Sequence, residues 1–232
     1  MSVVEHHHAD VSGGWLRAAT FGAMDGLVTN IALIAGVGGG GVSSHTVILT
    51  GVAGLVAGAI SMGIGEYTSV QTQNEQVAGE LARELRELHA NPEGEADELV
   101  EMWAARGLPV GLARQVADVL KANPEQALRV HAQEELGVVP DELPSPWTAA
   151  SSSFVCFAIG AVIPLLTYIL GFGDLWPALV VGGIGLFAAG ALIARFTGRS
   201  SLLSGLRQLS LGALAAAATY VIGMVIGVGV TG

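Results

Sequence analysis

The sequence predicts an all-α membrane protein, with five transmembrane helices and a cytoplasmic helical insert between the second and the third. Three observations carry that prediction. Charge is scarce: 13% of the 232 residues are charged and 51% are hydrophobic, against about 25% charged in an ordinary soluble domain. Mean hydropathy is +0.58. The scarcity is also concentrated. Residues 26–65, 143–173, 175–194 and 208–232 contain no Asp, Glu, Lys or Arg, and each run meets or exceeds the roughly 20 residues that a helix needs to cross a bilayer. Finally, residues 73–146 hold 15 of the 20 acidic and 6 of the 10 basic residues, so a net charge of −9 out of −10 lies in one segment.

The first charge-free run is long enough for two spans, divided by Gly38-Gly39-Gly40-Gly41. Spans are therefore expected at 15–38, 45–70, 148–170, 175–195 and 207–230. The chain divides into 1–72 (tail and two spans), 73–146 (the acidic insert) and 147–232 (three spans). The second span should continue as helix to about His89, because Gly79 alone costs only about 1 kcal/mol. Asn91-Pro92 is a cap followed by proline at the first helical position, opening a helix to about Arg106 that Gly107 closes. Leu108-Pro109 opens the next, to about Ala122. Asn123-Pro124 repeats the cap signal and opens the last, which Gly137 closes. Pro164 removes a backbone donor within the third span and is the expected kink. Gly51, Gly54, Gly58 and Gly63 in the second span, and Gly223 and Gly227 in the fifth, let helix backbones approach closely. That pattern serves packing within one chain or across the axis of a homodimer.

Charge sets the orientation. With the insert in the cytoplasm, Arg17, Arg195, Arg199 and Arg207 fall on the cytoplasmic side, and the outer turns at 38–45 and 171–175 carry no Lys or Arg. This satisfies the positive-inside rule, with the N-terminus inside and the C-terminus outside. So acidic an insert repels phosphates, which argues against a nucleic-acid partner. Cys156 is the only cysteine and lies in an apolar run, so no intrachain disulfide forms and a thiolate metal site is not expected. The N-terminus lacks the basic head and short apolar core of a secretory signal, and His6-His7-His8 reads as a solvated tail. With no organelle-targeting pattern and an Ala/Gly/Arg-rich style, a bacterial plasma membrane is the expected location.

Two acids stand where acids are expensive. Asp25 lies near the start of residues 21–65, whose only other ionisable side chain is His45, and Glu66 follows at the far end. A carboxylate in hydrocarbon costs roughly 3 kcal/mol on insertion scales and normally survives facing a polar cavity or a bound cation. In the insert, Glu84 and Glu87 are three apart, as are Glu95 and Glu98, and residues three apart share a helix face. Two antiparallel helices so marked can turn four carboxylates to one space, joined by Glu134, Glu135 and His131 from the last insert helix. Carboxylates suit Fe²⁺, Mn²⁺ and Mg²⁺, and imidazole admits softer ions. The same spacing also describes an ordinary solvated face, and the pattern alone does not choose. A ferritin-type di-iron oxidase needs Glu-x-x-His on two helices; the only instance is Glu5 to His8. A membrane-anchored metal-binding or iron-oxidising protein is thus the alternative to a cation pathway, and the less favoured.

The segment Phe21-Gly-Ala-Met-Asp-Gly-Leu-Val-Thr-Asn-Ile-Ala-Leu-Ile-Ala-Gly-Val-Gly-Gly closely resembles the first helix of the vacuolar iron transporter family. Gly54-Leu-Val-Ala-Gly-Ala-Ile-Ser-Met-Gly-Ile-Gly-Glu-Tyr-Thr-Ser-Val-Gln-Thr-Gln resembles the second. The resemblance implies a homodimeric, non-enzymatic transporter that exports Fe²⁺, and often Mn²⁺, from the cytosol in exchange for protons. The metal is then substrate, with no fixed cofactor. It further implies a path at the dimer interface lined by Asp25 and Met62, with Glu66 one turn on from Met62. Met24 and Asn30 are secondary candidates for that path. It implies metal collection by Glu84, Glu87, Glu95, Glu98 and Glu135. Plant members carry methionine where this chain has His131 and Ala132, a departure that would move the preference toward Zn²⁺ or Mn²⁺.

Overall fold

Hydrocarbon offers no water to the backbone, so a chain this apolar satisfies its peptide groups within helices. The protein is described by a computed structural model over residues 14–231. Glu5, His6, His7 and His8 lie outside the described residues. The helices are α1 (Trp15–Gly39), α2 (Ser44–Ala90), α3 (Pro92–Ala105), α4 (Val110–Lys121), α5 (Pro124–Glu135), α6 (Pro146–Ile169), α7 (Leu175–Phe196) and α8 (Ser201–Thr231), with a 3-10 turn at Pro140–Glu142. Five of them, α1, α2, α6, α7 and α8, are long and apolar enough to cross a membrane. The chain forms two units, residues 14–68 with 146–232, and residues 69–145; α2 runs through both.

In the first unit α1 is central, packed against α6, α8 and α7. Contact is nearly backbone to backbone. A methyl group at Gly26 would overlap the Phe157 carbonyl, one at Gly160 the Ala23 carbonyl, and one at Gly223 the Gly36 carbonyl. Such approach replaces the hydrophobic drive that is missing between helices in lipid. Between these contacts, Leu27, Ile31 and Leu186 fill one core, and Ile34, Val47, Leu165 and Tyr168 another. Asn30 is 1% exposed and donates from Nδ2 to the Ala161 carbonyl, a polar clasp between α1 and α6.

α2 is held differently, through side chains. Leu55, Ala59 and Met62 pack on Phe157, and the Tyr67 ring lies 4.8 Å from that of Trp147. Its other face is open, exposing Leu49, Val56, Ile60 and Ile64 together with Ala53, Ala57, Ser61 and Gly65. α6 runs unbroken through Pro164, which is buried. α8 starts six residues before the expected 207, because Ser200 Oγ accepts from the Leu203 N–H at 3.4 Å and caps it there.

In the second unit the proline-opened helices form as the cap signals predict. Asn91 accepts from Gly94 N at 3.1 Å and Asn123 from Gln126 N at 3.2 Å. Gly107 and Gly137 take positive φ after α3 and α5, a conformation that suits glycine best. Leu88, Ala96, Leu99, Val100, Ala113, Ala117, Leu120 and Ala127 make the apolar core.

Gly26→Leu should abolish close packing of α1 on α6 and remove most folded protein from detergent extracts. Gly79→Ala meets open space and should be neutral or stabilise by up to about 1 kcal/mol. Thermal melts of the solubilised chain distinguish the two.

Candidate functional site

Three helices of the second unit converge on one polar cluster. α2 buries Leu88 inward and brings Glu84, one turn earlier, to the same face. α3 does the same with Glu95 beside buried Ala96 and Leu99, and α5 with His131 beside Ala127 and Ala132. Each thus presents its ligand at the polar margin of an apolar stripe. Glu84 is 7% and His131 1% exposed.

His131 Nδ1 donates to Glu135 Oε1 at 2.6 Å. It also lies 3.1 Å from Glu84 Oε1 and 3.9 Å from Glu95 Oε2. One ligand atom each from Glu84, Glu95 and His131 falls within 4.8 Å of the others. Two of these groups carry buried atoms without a hydrogen-bond partner, Glu84 Oε1 and His131 Nε2. A buried acceptor left unpaired costs stability, and a cation in the cluster would relieve it. The donor set, two carboxylates and an imidazole with Glu135 adjoining, fits Fe²⁺, Mn²⁺ or Zn²⁺.

Crowding of acids shows in their proton affinity. Burial raises the Glu84 carboxyl to about 7; the Glu135 charge adds to the rise and the His131 side chain opposes it. Glu95 is raised as well, first by burial, with Glu98 adding and His131 opposing. Glu84 and Glu95 also act on each other's proton affinity.

The other expected insert ligands go elsewhere. Positions three apart on a helix are offset by about 60°, and the apolar core takes the inward direction. Glu87 therefore sits exposed beside Arg83 at 3.9 Å, and Glu98 is exposed, acting on Glu95 through charge alone. Glu134 needs a correction. It accepts from Trp103 Nε1 at 3.0 Å and pairs with Arg106, because adjacent helical residues point about 100° apart and only Glu135 turns to His131.

In the membrane unit, Asp25 is half-buried on α1 and accepts from Thr29 Oγ1 at 3.4 Å. No cation pairs with it among the described residues. Met62 lies against the Phe157 cluster. Glu66, four residues on, is 8% exposed and is paired with Arg17. Among the described residues, neither Asp25 nor Glu66 joins a group of three convergent ligands within one chain. Arg17 served in the sequence only as a marker of orientation. The signal for its role was that it is the sole Lys or Arg in the first span and Glu66 the sole acid in the second. Asn30, whose Oδ1 is buried without a partner, points toward Gly51 and Gly54 of α2.

Because folding raises the Glu84 pKa, its contribution to metal-free stability is fully present below the ordinary glutamate value and is lost as pH rises through about 7. Glu84→Gln should flatten the pH dependence of unfolding between about pH 5 and 8 and stabilise the metal-free protein at the upper end. Amide exchange of α3 and α5 in the full chain reads this directly; a variant as pH-dependent as the wild type would contradict the assignment.

Residues 16–224 match the sequence profile of the VIT family. The chain is 33% identical to "Vacuolar iron transporter 1" of Arabidopsis thaliana, covering 97% of this chain and 92% of the relative. It is 35% identical to the protein of that name from Oryza sativa subsp. japonica, over 93% and 88%. It is 35% identical to "Vacuolar iron transporter" of Acanthamoeba castellanii, over 91% and 78%. An all-helical chain with five membrane-length helices, an acid in its first span and a family match over nearly its whole length belongs to the VIT family, that of the vacuolar iron transporters.

Proposed function

We propose that the protein moves Fe²⁺, and Mn²⁺ or a related divalent ion, out of the cytosol in exchange for protons. The observation that carries the reading is Asp25, a carboxylate within the first span with no cationic partner among the described residues. Such a group is costly unless it meets a cation or a proton in passage. The printed names of the relatives support iron as the cargo.

The residues divide the work. On the cytoplasmic side, Glu84, Glu95 and His131, with Glu135 adjoining, collect the ion. In the membrane, Asp25 and Met62 carry it, the thioether favouring Fe²⁺ over Mg²⁺ or Ca²⁺. Glu66 reaches the ion only after Arg17 gives it up. A carboxylate holds a metal or a proton, not both well, so protonation from the far side releases the ion and returns charge inward. Two copies complete the path. The open face of α2 carries Ala53, Ala57, Ser61 and Gly65, four small residues at intervals of four, which is the spacing that lets two helices meet closely in lipid.

Proteoliposome flux tests the reading. Fe²⁺ and Mn²⁺ flux should depend on a pH gradient and fall at least about tenfold in Asp25→Asn, which loses the charge but keeps the shape. Flux unchanged in that variant would remove Asp25 from the path. Glu84→Gln with Glu95→Gln should raise the metal concentration needed for half-maximal flux and leave the maximal rate intact. A lower maximum at unchanged half-saturation would count against the collecting role.

A further inference from the structure

Three arginines lie close together in sequence with no acid between them. Arg195 ends α7, Arg199 lies in the turn after it, and Arg207 is in the second turn of α8. Elsewhere bases are paired: Arg17 with Glu66, Arg83 with Glu80, Arg106 with Glu134, Arg114 with Asp97, Lys121 with Glu93 and Arg129 with Asp141. Arg86 is the remaining exception, in the acidic insert. Arg195, Arg199 and Arg207 have no ion-pair partner among the described residues, and no Asp or Glu occurs from 175 to 232 to supply one locally.

Arg199 and Arg207 also line one pocket of about 260 Å³ with Ser200, Leu203 and Ser204. Ser200 and Ser204 bring two hydroxyl groups to the same pocket. Ser200 uses its oxygen as acceptor for the Leu203 N–H, which leaves its own O–H free to donate. Two arginines and two serines lining one pocket can together donate to the oxygens of a phosphate, since arginine binds phosphate through two parallel N–H bonds. Around this polar centre the surface is greasy: Phe196 is 69% exposed, Leu202 60% and Leu203 68%. These residues close α7 and open α8, both membrane-length helices, so their exposed side chains meet acyl chains. A pocket that is cationic at its centre and apolar at its rim matches a lipid with an anionic headgroup better than a free anion, which would gain nothing from the rim.

We propose that Arg199 and Arg207, with Ser200 and Ser204, bind the phosphate of an anionic phospholipid at the α7–α8 turn. Charge complementarity is the argument: no acid pairs with these arginines among the described residues, and an anionic leaflet would supply the counter-charge. Clusters of arginine next to a span acquire affinity for anionic lipid in this way. Arg195, outside the pocket, adds to the general field only.

The test uses the full chain in nonionic detergent, incubated with an equal mixture of dioleoylphosphatidylglycerol and dioleoylphosphatidylcholine, with retained lipid counted by native mass spectrometry. The expected result is preferential retention of phosphatidylglycerol, with the preference reduced on the order of tenfold in R199Q/R207Q and preserved in R195Q. Single R199Q and R207Q variants should each lose part of the preference, which keeps the test decisive if the double variant folds poorly. Equal retention of both lipids would overturn the proposal, as would a preference undiminished in all three pocket variants. An equal loss in R195Q would reduce it to nonspecific charge and overturn the pocket. Millimolar inorganic phosphate that displaces the lipid and raises the melting temperature as much as phosphatidylglycerol does would reassign the site to a free anion.

Discussion

The close approach of α1 to α6 and α8 governs the membrane unit. At Gly26, Gly160 and Gly223 the neighbouring backbone stands where a side chain would be. Helices in lipid gain little from hiding apolar surface, so dispersion between tightly apposed backbones must hold them. With α1 clamped on two sides, its polar residues have defined surroundings. Asn30 is locked to the Ala161 carbonyl, and Asp25 sits one residue before the Gly26 contact, half-buried beside Thr29.

α2 answers to a weaker constraint. It touches the rest of its unit through Leu55, Met62 and Tyr67, and its far face is exposed over the length of the span. The ion pair between Glu66 and Arg17 therefore ties the middle of α2 to the start of α1. The carboxylate proposed to meet the ion is thus held by a cation of the same chain. Arg17 is largely exposed and Glu66 buried, so parting the pair leaves the carboxylate as the buried charge.

Charge in the insert obeys a simple economy. Most exposed bases find an acid, and such surface pairs contribute little each. Glu84 and Glu95, turned inward, meet no Lys or Arg but only His131, and answer with raised proton affinity. A site that prefers a proton when empty and can yield it to a metal near neutral pH couples binding to proton release. His131 occupies the junction between this polar cluster and the apolar core, with one nitrogen on Glu135 and the other buried.

The sequence by itself determined the number of membrane-length helices, their order and most helix ends. Runs without charge, Asn-Pro caps and closing glycines are local signals, and local signals act through backbone geometry that needs no tertiary partner. The resemblance in the first two spans also marked Asp25, Met62 and Glu66 without any contact being known. Only the tertiary structure decided which of several equally spaced glutamates face inward. Glu84 and Glu87 differ by 60° on one helix, and Glu134 and Glu135 by 100°, so the choice fell to the core that Leu88, Leu99 and Ala127 had to bury. The same holds for Arg17 and Glu66, 49 residues apart. No periodicity links such a pair; they meet because the fold brings the start of α1 beside α2.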